Sequence, residues 1–89
     1  MNNPLFSILI PTWNNLPFLQ CCVQSIRQNS TYCHQIIVHV NDGSDGTLQW
    51  VRQQGIDHTY TEHNVGVCLA MNMMRSKVKT HYMLFLNDD

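Results

Sequence analysis

Short apolar runs alternate along the chain with longer segments of mixed polarity. The runs at 5–10 (LFSILI, closed by Pro11) and 35–40 (QIIVHV) are typical of buried strands. The more polar run at 57–62 (DHTYTE) predicts an edge strand, and HYMLFLN at 81–87 predicts a fourth strand whose apolar run is expected to be buried.

The segments between these runs have the periodicity of helices. In the first, apolar residues fall at i, i+3, i+4 and i+7, with Pro17 in the first turn and Asn14 or Asn15 as the cap. The turn NDGSDG precedes a short second helix that Ser44 or Asp45 can cap and that ends by Gly55. The apolar residues of the first helix are Leu19, Cys22, Val23 and Ile26.

The third predicted helix lies in NVGVCLAMNMMRSKV, residues 64–78. It has more apolar residues than one face requires, so we expect neighbouring elements to cover it on several sides. Its main stripe is Val67, Met71, Met74 and Val78, and the apolar residues outside the stripe are Cys68, Leu69 and Met73.

The β-α-β-α-β-α-β order predicts an α/β fold with three layers, α/β/α, and a mainly parallel four-stranded sheet. If strands one to three step outward with right-handed crossovers, the third helix crosses the other face and the strand order is 3-2-1-4. The order 1-2-3-4 is the alternative. In the 3-2-1-4 order, the loops PTWNN, NDGSDG and NDD meet at the switch point between strands one and four, where open α/β sheets bind ligands.

Length and charge limit the classes of function. Eighty-nine residues predict a single small domain over 1–89, and a net charge of −1 without a basic block does not indicate a nucleic-acid partner. No apolar run reaches the roughly 18 residues of a membrane span, and the N-terminus lacks the basic region of a signal peptide.

The cysteines and histidines do not have the spacing of a known metal or redox motif. The four cysteines contain no C-x-x-C pair, which favours reduced thiols and a cytoplasmic location. The five histidines are scattered without ligand spacing, so a zinc site is not predicted. They are His34, His39, His58, His63 and His81.

The first two loops each allow two interpretations. The first is neither a G-x-G-x-x-G turn nor a P-loop; Thr12, Trp13 and Asn14 either form a turn and cap, or offer a ligand a hydroxyl and a flat apolar surface. In the second, Asp42 and Asp45 either belong to a polar turn, or Asp42 accepts hydrogen bonds from a base N–H or a ribose hydroxyl.

The third loop carries the strongest metal signal. In a strand, Asn87 and Asp89 would share one side and Asp88 would lie on the other. Oxygen-bearing side chains in this arrangement suit Mg²⁺ or Mn²⁺ bound with a substrate diphosphate. A solvated, frayed terminus is the alternative.

Four segments together resemble a known family. SILIPTWNN, IIVHVNDGSDGT, EHNVGVCLAMN and YMLFLNDD, in this order and spacing, resemble the N-terminal, nucleotide-sugar-binding half of a family 2 glycosyltransferase with the GT-A fold. The resemblance covers essentially the whole chain and implies a domain ending at a D-x-D-like motif. It also implies inverting transfer from a UDP- or dTDP-linked sugar to a glycan or lipid-linked acceptor.

The resemblance also assigns site residues. Thr12 and Trp13 would line the nucleotide pocket, Asp42 would contact the base, and Asp88 and Asp89 would bind Mg²⁺ or Mn²⁺. The implied substrate-binding residues are Thr12, Trp13, Asn14, Asp42, Ser44, Asn64, Gly66, Asn72 and Asp88.

Three positions depart from the family pattern. Asn87 replaces the first aspartate of the metal motif, which leaves Asp89 as the main ligand. Met71 stands where many members have an arginine, so one phosphate contact is not expected. The DGSDGT turn is one residue shorter than the common form, which leaves the role of Asp45 open.

The resemblance places the general base and the acceptor surface beyond Asp89, and it allows a peripheral location at the cytoplasmic membrane face. The 89 residues alone are therefore expected to bind the donor without transferring sugar. They are also expected to be only marginally folded or self-associated, because the edge at 82–86 and part of the Met-rich third helix would lack their usual cover. A non-catalytic nucleotide-binding module or an inactive fragment is the alternative. A nucleotidyltransferase would need a glycine-rich basic loop after strand one, and a phospho-receiver would need an acidic pair at the same place. The loop after strand one has neither feature.

Overall fold

Residues 6–29 and 34–86 are described in a computed structural model of the chain, and they form the predicted order of four strands and three helices. The helices are α1 (Leu16–Asn29), α2 (Thr47–Gln53) and α3 (Gly66–Arg75). The strands are β1 (Phe6–Trp13), β2 (Gln35–Asn41), β3 (Asp57–Thr61) and β4 (Tyr82–Phe85).

The four strands form one parallel sheet in the order β3-β2-β1-β4. This confirms the predicted order 3-2-1-4 and excludes 1-2-3-4. The central pairing is the longest, and joins 7–13 of β1 to 35–41 of β2. The carboxyl ends of β1 and β2 therefore lie side by side.

Helices cover both faces of the sheet, as the right-handed crossover argument predicts. Alternate strand residues point to opposite faces, so each helix layer packs on its own set. The first core contains Ile8, Ile10, Leu19, Val23, Val38, Val40, Val51 and Ile56, and the second contains Leu9, Ile37, Ala70 and Met74. None of the described helices is long and apolar enough to cross a membrane.

The first strand continues past Pro11 to Trp13, although the sequence predicts that it closes there. Leu9 accepts a hydrogen bond from the Leu86 N–H, so Leu9 directs its backbone groups toward β4. Pro11, two residues on, faces the same side and has no N–H to donate. The missing donor therefore leaves the pairing with β2 intact.

The apolar stripe of α3 is only partly as predicted. Met74 is fully buried and Met71 and Val78 pack at the edge of the second core, but Val67 is 48% exposed. Val67 lies in the first turn of the helix, beyond the cover of the sheet. Ala70 takes its place in the core. On the other side of α3, Leu69 is 49% exposed, so the helix is not covered on several sides, as expected if part of it lacks its usual cover in this chain.

The side chains of the fourth strand are exposed, which agrees with the expected lack of cover along the edge at 82–86 and not with a fully buried apolar run. The exposed fractions of its four side chains lie between 39% and 58%. The two cores lie over β1 and β2, so neither helix layer reaches β4. The opposite edge differs, because β3 carries polar residues at four of its five positions. The exposed residues of β4 are Tyr82, Met83, Leu84 and Phe85.

We expect the 89-residue chain to associate with itself through β4, because an uncharged apolar edge strand is a template for strand pairing. Light scattering should show a species larger than a monomer. Leu84→Lys should weaken this association about tenfold or more, because fully burying a leucine contributes about 1.5–3 kcal/mol.

Tyr60→Lys is the matched control, since Tyr60 is an exposed apolar residue on the opposite edge strand. It should leave the association unchanged. A monodisperse wild-type monomer, or equal effects of the two lysines, would contradict the assignment to β4.

Candidate functional site

Two hydrogen-bonded side chains join the loops that follow β1 and β2. Asn14 Nδ2 donates to Asp42 Oδ2 at 3.0 Å. Asn14 and Asp42 each follow the last residue of a strand, and both have left-handed backbone conformations, with φ of 47° and 69°. Asparagine and aspartate tolerate this conformation better than other non-glycine residues. The two strands thus turn away from the sheet together, and their polar side chains meet.

Asp42 is half-buried and is held from three directions. Besides the contact with Asn14, its Oδ1 accepts a 3.3 Å hydrogen bond from the Ser44 N–H, and its backbone N–H donates to the Thr61 carbonyl at 2.8 Å. Each carboxylate oxygen can accept about two hydrogen bonds. Asp42 therefore keeps acceptor capacity for a ligand. Ser44 contributes its backbone N–H to this contact, and its side chain is exposed.

The turn after Asp42 requires glycine at its next position. Gly43 has φ of 75°, and a Cβ there would lie 2.8 Å from Val40 Cγ1 and 3.1 Å from Leu48 Cβ. A larger residue would push the turn away from the end of β2. Gly43 thus allows Asp42 to sit close to the sheet.

Thr12 and Trp13 end β1 in different surroundings. Trp13 is 57% exposed and offers a flat apolar surface beside the Asn14–Asp42 pair. Thr12 is 2% exposed, and among the described residues no atom forms a hydrogen bond with its Oγ1. The hydroxyl is thus buried at the end of β1, directly before the exposed Trp13.

Asn41, which the sequence analysis did not single out, lies at the centre of the site. Its side chain is 4% exposed; Nδ2 donates to the Thr12 carbonyl at 3.1 Å, and Oδ1 accepts from the Val65 N–H at 3.0 Å and from Thr61 Oγ1 at 3.3 Å. The sequence does contain a signal for Asn41. It is an amide at the end of an apolar strand, and a polar side chain that is buried there needs hydrogen-bond partners.

His39 supports the same region from within the sheet. It is fully buried, with Nδ1 2.6 Å from Thr59 Oγ1 and Nε2 3.0 Å from Thr61 Oγ1. Burial lowers the pKa of His39 below its usual value, and a hydrogen bond with Asn41 partly opposes this. The imidazole is therefore neutral at neutral pH and fixes the threonines of β3.

Asp45 holds the starts of two helices. Its Oδ2 accepts from the Leu16 N–H of α1 at 3.1 Å, and its Oδ1 accepts from the Thr47 N–H of α2 at 3.1 Å. The predicted cap of α2, Ser44 or Asp45, is wrong: the N-cap residue is Gly46, and Asp45, one residue before it, accepts from the first helical N–H. Burial alone would raise the pKa of Asp45, but the hydrogen bonds from Thr47 and Leu16 lower it overall.

The predicted donor-site segment before α3 is only partly connected to this cluster. Asn64 Oδ1 accepts from the Gly66 N–H at 3.1 Å, and Gly66 has φ of 82°. Val65 between them donates to Asn41, which joins the start of α3 to the ends of β1 and β2. Asn72 lies further along α3 and is exposed, two residues from both buried positions of the helix.

The predicted metal ligands Asp88 and Asp89, with Asn87, lie outside the described residues. Within 6–29 and 34–86, no group of three histidine, cysteine or acidic side chains could hold a metal ion. Leu86, the last described residue, hydrogen-bonds to Leu9 of β1.

One cavity of the described residues lies away from this site. That cavity, of about 420 Å³, is at the opposite end of the sheet, near the starts of β2 and β3. It is lined by Ile26, Arg27, His34, Gln35, Ile36, Gly55, Ile56 and Asp57, and includes none of the predicted site residues.

The sequence is similar to known glycosyltransferases. The sequence model of the family described as Glycosyl transferase family 2 matches residues 7–89. TuaG of Bacillus subtilis (strain 168), a glycosyltransferase whose name assigns it to teichuronic acid biosynthesis, is 26% identical over 91 residues. The match covers 97% of this chain and 36% of TuaG.

The fold is also similar to a solved structure. The crystal structure of TarS from S. aureus superposes with a TM-score of 0.73 at 17% sequence identity, over 96% of this chain and 16% of TarS. At this identity the likeness concerns the fold. The chain thus spans about a third of one relative and about a sixth of the other.

Asp45→Ala should lower the free energy of unfolding by about 1–4 kcal/mol, because it removes the acceptor for two helix starts at about 0.5–2 kcal/mol each. Asp45→Asn keeps one acceptor oxygen and should cost less. Urea denaturation measures both. Glu62→Ala, which removes an exposed carboxylate, is the control and should change little.

The same contact predicts a pH dependence. The pKa of Asp45 in the folded chain lies below its unfolded value near 3.8. The contribution of its carboxylate to the free energy of unfolding is therefore complete above pH 3.8 and is lost as the pH falls through the folded pKa. The Asp45→Ala difference should therefore shrink in acid below that value. A constant difference down to pH 2 would contradict the carboxylate contacts.

Proposed function

The chain belongs to glycosyl transferase family 2, and from this membership we propose that it is the nucleotide-sugar-binding part of an inverting glycosyltransferase. The proposed donor is a UDP- or dTDP-linked sugar, and the proposed acceptor is a glycan or a lipid-linked glycan. The observation that carries the proposal is the cluster at the carboxyl ends of β1 and β2. It combines a carboxylate with remaining acceptor capacity, an exposed indole and a buried hydroxyl to which no described residue bonds.

Each of these groups matches one part of a nucleotide. Base N–H groups and ribose hydroxyls donate hydrogen bonds, and Asp42 can accept them without giving up Asn14 or Ser44. The exposed face of Trp13 can stack on the base, which typically contributes about 1–3 kcal/mol. Thr12 Oγ1 can bond to a polar atom that reaches the buried end of the strand.

Asp88 and Asp89 are the proposed metal ligands. Carboxylate oxygens are the ligands that Mg²⁺ and Mn²⁺ prefer. When bound, such an ion would neutralise negative charge on the leaving diphosphate. Asn87 is neutral, so the motif offers two carboxylates.

The proposed reaction is a single displacement. The acceptor oxygen forms a bond to the anomeric carbon as the bond to the nucleoside diphosphate breaks, and a carboxylate base takes the hydroxyl proton. No described residue is assigned as that base. We propose that it and the acceptor surface belong to sequence beyond Asp89, as the partial coverage of TuaG and TarS supports.

The acceptor and location are proposed from the relatives. The name of TuaG places it in teichuronic acid biosynthesis, which supports a cell-envelope polysaccharide as the product of this chain's longer form. Nucleotide sugars are donors on the cytoplasmic side in this proposal, so the protein would act in the cytoplasm or at the cytoplasmic membrane face.

Calorimetry with UDP and dTDP tests the nucleotide assignment. Asp42→Asn should weaken nucleotide binding about 10- to 150-fold, because a hydrogen bond to a charged group contributes about 1.5–3 kcal/mol. Binding of inorganic diphosphate with the metal should be nearly unchanged. Glu62→Gln is the matched control, since it removes the same charge next to Thr61, the residue that contacts Asp42.

Equal weakening of diphosphate binding by Asp42→Asn would mean that Asp42 acts on the metal or on the fold. The same titrations, extended to millimolar Mn²⁺ or Mg²⁺, test the ion: binding should need it and should be lost in Asp89→Ala. Equal nucleotide binding in EDTA would exclude a metal role.

Radiolabelled UDP- or dTDP-sugars test whether the 89 residues suffice for catalysis. We expect no transfer to an acceptor or to water above background, and transfer when sequence beyond Asp89 is present. Turnover by a monodisperse 89-residue monomer would instead place the base among these residues. Absence of both binding and turnover would favour an inactive module.

A further inference from the structure

We infer that Asn41 is a positioning residue that holds the two sides of the proposed donor site together. One side is the end of β1, with Thr12, Trp13 and Asn14. The other is the start of α3, residues 64–66. Only the test by nucleotide affinity rests on the proposed function, because the contacts of Asn41 are present without a ligand.

The side-chain amide of Asn41 is suited to join these two sides. The Thr12 carbonyl can only accept and the Val65 N–H can only donate, so one group must supply a donor and an acceptor. The amide does both, at 3.1 Å and 3.0 Å, and its oxygen also accepts from Thr61. Because the Thr12 carbonyl needs a donor and the Val65 N–H needs an acceptor, Nδ2 of Asn41 faces β1 and Oδ1 faces the start of α3.

The side-chain amide of Asn41 bonds to its neighbours in the fold, so it is not proposed as a ligand contact itself. It is 4% exposed, and three hydrogen bonds occupy its polar atoms. Its effect on a ligand must therefore pass through its neighbours. Thr12 precedes Trp13 directly, and Asn41 precedes Asp42, so a shift of this amide moves both proposed nucleotide contacts.

The third partner of the amide is itself held in place. Thr61 Oγ1 lies 3.0 Å from His39 Nε2 and 2.8 Å from the His63 carbonyl, and the Thr61 carbonyl accepts from the Asp42 N–H. The ends of β1, β2 and β3 and the start of α3 are thus joined by one connected set of hydrogen bonds. A loss at Asn41 removes three of its contacts at once.

Gln35 provides a matched comparison at the other end of β2. Its amide is also buried and also joins β1 to the region of α3. Oε1 accepts from Ser7 Oγ at 2.7 Å and from the Lys79 N–H at 3.0 Å, and Nε2 donates to Asp57 and the Lys77 carbonyl. Gln35 has the same chemistry as Asn41 but touches no proposed site residue.

The test compares Asn41→Leu with Gln35→Met, two replacements of similar shape that remove a buried amide. Urea denaturation gives the stability of each, and calorimetry with UDP and dTDP at millimolar Mn²⁺ gives the affinity of the folded fraction. Both variants should be less stable. Only Asn41→Leu should lower the nucleotide affinity of the folded molecules, by tenfold or more. Unchanged affinity in folded Asn41→Leu, or an equal loss in Gln35→Met, would overturn the inference.

Two ligand-free measurements separate this inference from the proposed function. Hydrogen exchange of the Val65 amide should accelerate in Asn41→Leu, and Trp13 fluorescence anisotropy, measured in a Trp50→Phe background, should fall. Neither should change in Gln35→Met. If the wild type binds no nucleotide, the proposed function is wrong, and these two measurements alone decide the role of Asn41.

Asn41→Asp covers the case in which Asn41→Leu does not fold. The carboxylate keeps the acceptor for Val65 and Thr61 but cannot donate to the Thr12 carbonyl. It should preserve the protection of the Val65 amide, increase the mobility of Trp13 and give an intermediate nucleotide affinity. Faster exchange of Val65 with unchanged Trp13 would contradict the assignment of the two contacts.

Discussion

The parallel pairing of β1 with β2 is the interaction on which the rest of the structure depends. Seven residue pairs join the two strands, and their register places Trp13 opposite Asn41. A slip of one residue would move every side chain of β1 to the other face of the sheet. It would exchange Leu9 for Ile8 and Ile10 between the two cores and separate Asn14 from Asp42.

At the ends of these strands, backbone groups need polar partners from outside the ladder. Where the ladder stops, carbonyl and N–H groups lose their partners, and burial makes that loss costly. The side-chain amides of Asn41 and Gln35 donate to backbone carbonyls at the two ends of β2. The Asp45 carboxylate accepts from backbone N–H groups at the starts of α1 and α2. The candidate site is built from these contacts, since Asp42 and Trp13 adjoin them directly.

The exposure of β4 follows from where the helices lie. The two cores are centred on β1 and β2, so the side chains of β4, the strand beyond β1, are 39–58% exposed. The family model identifies the family of the chain, the likeness to TarS concerns the fold, and the chain spans only part of each relative.

Much of the fold and part of the site followed from the sequence by itself. The alternation of apolar runs predicted every strand and helix, and crossover handedness predicted the order 3-2-1-4, because both depend on local pattern and chirality. The placement of Asp42 beside Trp13 and Asn14 followed from strand order alone.

Other features were decided only by the tertiary structure. The continuation of β1 past Pro11 depends on which neighbour that residue faces, and the exposure of Val67 depends on where the sheet ends beneath α3. The two-helix contact of Asp45 and the central position of Asn41 join residues more than 20 positions apart. Periodicity reports the side on which a residue lies within its own element. It does not report which distant backbone group will be left without a partner, and in this protein those groups determine how the site is held.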